Sequence, residues 1–78
     1  MKAVFFETAP GERRYLTRAL APRTLQARFI AEPLTDATRR LADGAEILSV
    51  FIYSTLTGPL LRRLSRLKFV ATRSTGFD

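Results

Sequence analysis

Four short apolar runs alternate along these 78 residues with segments of helical spacing. Lys2 to Phe6 (Lys-Ala-Val-Phe-Phe) is β-branched and aromatic and predicts a buried strand, ended by Thr8, Pro10 and Gly11. Glu12 to Ala21 predicts a helix in which Tyr15, Leu16, Ala19 and Leu20 form one stripe against a sheet. Arg13, Arg14, Thr17 and Arg18 point outward, Glu12 suits the helix dipole, and Pro22 stops the helix. Leu25 to Ile30 alternates, with Leu25, Ala27 and Phe29 on one face and Gln26 and Arg28 on the other, as an edge strand would. Thr35 reads as the N-cap of a short helix to about Ala42, with Leu34, Ala37 and Leu41 inward and Asp43-Gly44 closing it. Glu46 to Ile52 is the most apolar segment and predicts a central strand, followed by the turn Tyr53-Ser54-Thr55. Thr57 caps a third helix with Pro59 in its first turn, Leu60, Leu61, Leu64 and Leu67 inward and Arg62, Arg63 and Arg66 outward. Phe69, Val70 and Ala71 form a last, buried strand that runs into Thr72, Arg73, Ser74, Thr75 and Gly76.

The order β-α-β-α-β-α-β, with a helix in each connection, requires parallel strands and right-handed crossovers. The expected fold is α/β: an open, flavodoxin-like parallel sheet of order 2-1-3-4 with helices on both faces. Residues 1–78 leave room for one domain only. In such a sheet ligands sit beyond the carboxyl ends of the strands, near the point where strand order reverses.

Composition removes several chemistries. The chain has no cysteine and no histidine, which excludes disulfides, thiolate metal sites, a thiol nucleophile and an imidazole base. No apolar run is long enough for a membrane span, and Met1-Lys2 leads straight into a strand, so a soluble, cytoplasmic protein is expected. The net charge of +6 admits a stand-alone module that binds nucleic acid or an acidic partner. The arginines are spread over helix faces without interleaved aromatics, and solvated helix surfaces explain them better. The Gly-rich dinucleotide fingerprint and the P-loop are both absent, and the turn after the first strand does not resemble a flavodoxin phosphate loop. A phospho-receiver domain needs an acidic cluster where this chain offers Glu7 and Tyr53-Ser54. Glu7 itself reads as a plain loop carboxylate. On the residues alone, Ser74-Thr75-Gly76 is either a backbone anion cradle or an ordinary strand-to-loop turn.

The stretch Lys68 to Asp78 (KFVATRSTGFD) resembles the D-isomer-specific 2-hydroxyacid dehydrogenases, most of all their D-lactate dehydrogenase branch. That family shows an apolar strand followed by Arg, a small residue, any residue, Gly, an apolar residue and Asp or Asn. The opening KAVFFET and the lead Gly44-Ala45-Glu46 extend the resemblance over essentially the whole chain. The resemblance implies the N-terminal part of a substrate-binding domain in an NAD-dependent, homodimeric enzyme acting on a small 2-keto or 2-hydroxy acid. It implies that the main chain of Thr75 and Gly76 holds the substrate carboxylate. Tyr53 lies in the turn near the substrate's methyl group and is a further candidate, although the aromatic residue some members carry there aligns nearer Leu56. Arg73 is implied to have a structural or loop-anchoring role and not to be the catalytic arginine. The family's catalytic Arg, Glu and His, its coenzyme-binding residues and its Rossmann domain have no counterpart here, so the chain is expected to be a fragment, inactive alone. No metal site is expected.

Overall fold

In the computed structural model, residues 1–20 and 25–73 are described. The strands β1 (Lys2–Phe5), β2 (Gln26–Phe29), β3 (Ile47–Val50) and β4 (Phe69–Thr72) form one sheet of order β2-β1-β3-β4. Every pairing is parallel, as the crossovers demand. The connections carry α1 (Pro10–Leu20), a 3-10 turn (Arg39–Ala42) and α2 (Gly58–Arg62).

The two faces of the sheet are unequal. Register places Val4, Leu48 and Val70 side by side, and Ala3, Ile47 and Phe69 on the opposite face. On the first face Val4, Leu48 and Val50 join Phe6, Ile30, Leu34, Ala42, Leu60 and Leu64 in a single buried cluster, with Leu61 and Leu67 packed against it. This is the core. Each fully buried Val, Leu, Ile or Phe side chain contributes about 1.5–3 kcal/mol relative to exposure. α2 enters the core through Leu60, and Leu64 joins it from the turn beyond the helix, which ends at Arg62 and so is shorter than the expected stripe to Leu67. Thr57 caps α2 as expected, its Oγ1 accepting from Leu60 N–H at 3.3 Å, with Pro59 in the first turn.

The opposite face carries α1, and here the helical stripe differs from expectation. The helix begins at Pro10 rather than Glu12, since proline is preset for the first helical turn. None of its residues is fully buried. Glu12, Leu16 and Leu20 are half-buried at a spacing of four, while Tyr15 and Ala19 are exposed. The rotated stripe brings Glu12 toward the sheet, where it pairs with Arg73. The expected stop at Pro22 lies outside the described residues.

Four further expectations are corrected. The segment from Thr35 folds as a turn and one 3-10 turn, Arg39–Ala42, rather than a helix from Asp36. Thr35 is no N-cap: its N–H donates to Thr38 Oγ1 at 2.8 Å, and Thr38 Oγ1 donates to Pro33 O at 2.8 Å. The tighter winding buries Ala42 and leaves Ala37 and Leu41 exposed. Finally, β4 is an exposed edge strand rather than a buried one, with Phe69 at 62% and Val70 at 37% exposure. β2 is the opposite edge, as its alternation indicates, and its Phe29 stacks on Phe5 of β1 at 5.2 Å between ring centroids.

Glu46 ties the amino edge of the sheet. Its backbone N–H donates to Lys2 O, and its own carbonyl accepts from the N–H groups of Lys68 and Phe69. Its carboxylate accepts Lys2 N–H at 3.2 Å and lies 3.5 Å from Lys68 Nζ. The Lys2 amide, then Lys68 and the positive N-terminus, hold its pKa below the ordinary glutamate value against a smaller opposing effect of desolvation. A depressed folded pKa gives stability that is complete above the unfolded value and is lost as pH falls through the folded one. Glu46→Gln is therefore expected to flatten the acid limb of a Tm-versus-pH curve below the ordinary glutamate range, leaving its slope near neutrality unchanged. An unaltered acid limb would remove Glu46 from this role.

Candidate functional site

Parallel strands all end at one carboxyl edge, and the reversal of strand order lies between β1 and β3. The turn after β1 is unusual: Glu7 has φ of 60° and is the only non-glycine of positive φ among the described residues. That conformation costs roughly 1–2 kcal/mol for a residue with a Cβ. The compensation is visible. The Glu7 carboxylate accepts Phe51 N–H at 2.9 Å, Tyr53 N–H at 3.0 Å and Ser54 Oγ–H at 2.6 Å. Ser54 Oγ in turn accepts Leu34 N–H at 2.8 Å, and Thr55 N–H donates to Leu34 O at 2.7 Å. Glu7 is thus a clamp between three turns, not the plain loop carboxylate expected from its lack of a partner nearby in sequence. The strand order itself was the missed signal, because order 2-1-3-4 places the ends of β1 and β3 side by side.

Arg73 closes the edge from the other side. Its backbone N–H donates to Val50 O at 2.8 Å, extending the ladder past β4. Its guanidinium donates to Glu12 Oε2 and Ser49 Oγ, each at 2.8 Å, to Glu7 O at 3.1 Å and to Phe6 O. Both partners of the ion pair are largely buried, their side chains 10% and 15% exposed. Four of the five guanidinium donors are thereby used inside the protein, a structural role for Arg73. The loop it was also expected to anchor lies outside the described residues.

Among the expected ligand residues, Tyr53 stands on the crevice rim with 73% exposure, its amide taken by Glu7. Thr75 and Gly76 lie outside the described residues. An open, mainly apolar cleft runs from Glu7 past Ala9, Gly11 and Glu12 to Tyr15 and Phe51. The turn after β1 offers a nucleotide phosphate no cradle: Glu7 N–H donates to Glu32 O, and Thr8 N–H and Oγ1–H both donate to Ile30 O. These residues do not fit a dinucleotide. No group of acidic side chains able to hold a metal ion occurs among the described residues, and no helix among them is long and apolar enough to cross a membrane.

Because Arg73 binds four partners in a water-poor setting, removing it strands Glu12. Losing one member of such a pair costs about 3–5 kcal/mol, against roughly 4–12 kcal/mol of total stability for a chain this long. Arg73→Ala is expected to move the urea midpoint far more than Arg63→Ala, an exposed site where changes stay within about 0.5 kcal/mol. Equal midpoints for the two variants would show that the network contributes nothing to stability.

The whole chain superposes on solved D-lactate dehydrogenases. The Salmonella enzyme is 26% identical with a TM-score of 0.84, matching 100% of this chain and 24% of its own. The apo-structure of the Escherichia coli enzyme is 26% identical at 0.85, with 100% and 25% covered. The Aquifex aeolicus enzyme, complexed with NAD and lactic acid, is 30% identical at 0.77, with 97% and 22% covered. The chain therefore spans about a quarter of the length of these structures. No curated protein matches it in sequence. The model of the D-isomer specific 2-hydroxyacid dehydrogenase catalytic domain matches residues 3–78. With that match over nearly its full length and the parallel order 2-1-3-4 it shares with these enzymes, the chain belongs to the D-isomer specific 2-hydroxyacid dehydrogenase family, within the catalytic domain.

Proposed function

We propose that residues 1–78 form the N-terminal part of the substrate-binding domain of an NAD-dependent D-2-hydroxyacid dehydrogenase of the D-lactate type. The observation that carries the reading is the superposition of the entire chain on D-lactate dehydrogenases of which it spans a quarter. NAD supplies hydride chemistry in such an enzyme, and its binding residues lie outside this chain, in keeping with a β1 turn whose polar groups are used internally. The main chain at Thr75 and Gly76 takes the carboxylate of a small 2-keto or 2-hydroxy acid. Arg73, rigid by its four contacts, delivers that loop to the crevice, and Tyr53 borders the remainder of the ligand. The segment contributes binding and orientation while the catalytic Arg, Glu and His come from elsewhere in the whole enzyme, a cytoplasmic homodimer.

The basic interaction module is the weaker reading. Arg13, Arg14 and Arg18 sit on α1 and Arg62, Arg63 and Arg66 on and beyond α2, against opposite faces of the sheet, so their charge does not converge on one surface. Binding of this chain to duplex DNA is expected to be weak and to vanish near physiological salt. Submicromolar, sequence-selective binding that survives about 200 mM salt would reverse the ranking.

The carboxylate loop is tested in the whole enzyme. Each amide hydrogen bond to a charged group is worth roughly 1.5–3 kcal/mol, so losing one costs on the order of 10- to 150-fold in kcat/KM for the keto acid. Thr75→Ala keeps its amide and should be mild. Gly76→Val adds bulk where the ligand approaches, Gly76→Pro removes the donor, and both should be severe with coenzyme affinity nearly unchanged. Parental kcat/KM in a folded Gly76→Val enzyme would place the carboxylate elsewhere, and the isolated 78-residue chain should show no NADH oxidation with pyruvate.

A further inference from the structure

A protein carboxylate held by two backbone amides and a hydroxyl is bound as a ligand carboxylate would be. The donors Phe51 N–H, Tyr53 N–H and Ser54 Oγ–H converge on the two oxygens of Glu7 at 2.9, 3.0 and 2.6 Å. They belong to the turn after β3, beside the reversal of strand order, where an open parallel sheet offers its ligand donors. Glu7 reaches them from the neighbouring turn while holding the one positive φ of a non-glycine among the described residues, a conformation that persists only where its surroundings compensate for it.

We infer that the turn after β3 is an anion site whose occupant is the chain's own Glu7 carboxylate, and that this occupation bars a ligand carboxylate from the turn. Both amides are engaged and a negative charge sits among them, so an incoming carboxylate finds repulsion where an empty turn would offer donors. The occupied anion site does not rest on the dehydrogenase reading: it follows from the three donors on Glu7 alone.

The test uses the 15N-labelled chain and sodium acetate, with sodium chloride at equal ionic strength as the control. In the wild type, the Phe51 and Tyr53 amide signals should show no acetate-specific shift. Glu7→Gly removes the carboxylate and accepts positive φ without steric cost. In that variant both amides should shift saturably with acetate, and Tm should rise by about 4–8 °C once acetate exceeds its dissociation constant several-fold. Adding Ser54→Ala should weaken the response, and pyruvate should reproduce it. A wild type that responds as strongly as Glu7→Gly overturns the proposal. So does a Glu7→Gly chain whose signals and Tm respond no more than the wild type's, including one that stays unfolded in acetate. No turnover enters the measurement: loss of the anion site would leave the dehydrogenase reading standing, and an inactive whole enzyme would leave the anion site standing.

Discussion

The guanidinium of Arg73 is the constraint on which the carboxyl edge depends. It spans the end of β4, the ends of β1 and β3 and the first turn of α1 through Glu12, Ser49 and the carbonyls of Phe6 and Glu7. A planar group with five donors can satisfy such a divergent set, where a lysine ammonium would leave carbonyls unpaired. The buried hydroxyl of Ser49 and the buried carboxylate of Glu12 are tolerated because Arg73 pairs with both, and no buried side-chain polar atom among the described residues lacks a partner.

Rigid packing on one face and polar ties on the other follow from that arrangement. The face built from Val4, Leu48 and Val50 is closed by α2 and the 3-10 turn and supplies the apolar driving force. The face under α1 buries no helical side chain completely and is held by the Glu12–Arg73 pair and by Arg13 over the Phe29 ring at 5.8 Å. Glu46 at the amino edge and Glu7 at the carboxyl edge each bind backbone donors across strands. Two carboxylates thus pin opposite ends of the same β1–β3 pair. The turns at both ends of that pair are thereby fixed by the protein's own groups.

The family membership and the geometry meet at the crevice. At that edge the β1 turn is internally satisfied and the β3 turn already holds a carboxylate, which is compatible with the function proposed above. The exposed edge of β4, with Phe69 and Val70 uncovered, fits a segment spanning a quarter of the D-lactate dehydrogenases it resembles.

The four strands, the parallel topology and the buried face of β1, β3 and α2 were legible in the sequence because each depends on neighbours a few residues apart, whereas the segment after Thr35 and the exposure of β4 were not. Strand runs, the Thr57 cap and the Leu60–Leu64 spacing are local patterns, and helical crossovers leave few strand orders open. The terminal Arg-containing motif likewise carried the family. What only the tertiary structure decided is which polar side chains meet. From the sequence Glu12 suits the helix dipole and Tyr15 the buried stripe, whereas in the fold Glu12 faces inward to Arg73, 61 positions away, and Tyr15 is exposed. Glu7 looked idle until strand pairing set it beside a turn 44 to 47 positions along. Hydrophobic period records only which face is buried. The partner of a charged group depends on distances in space that chain folding alone creates.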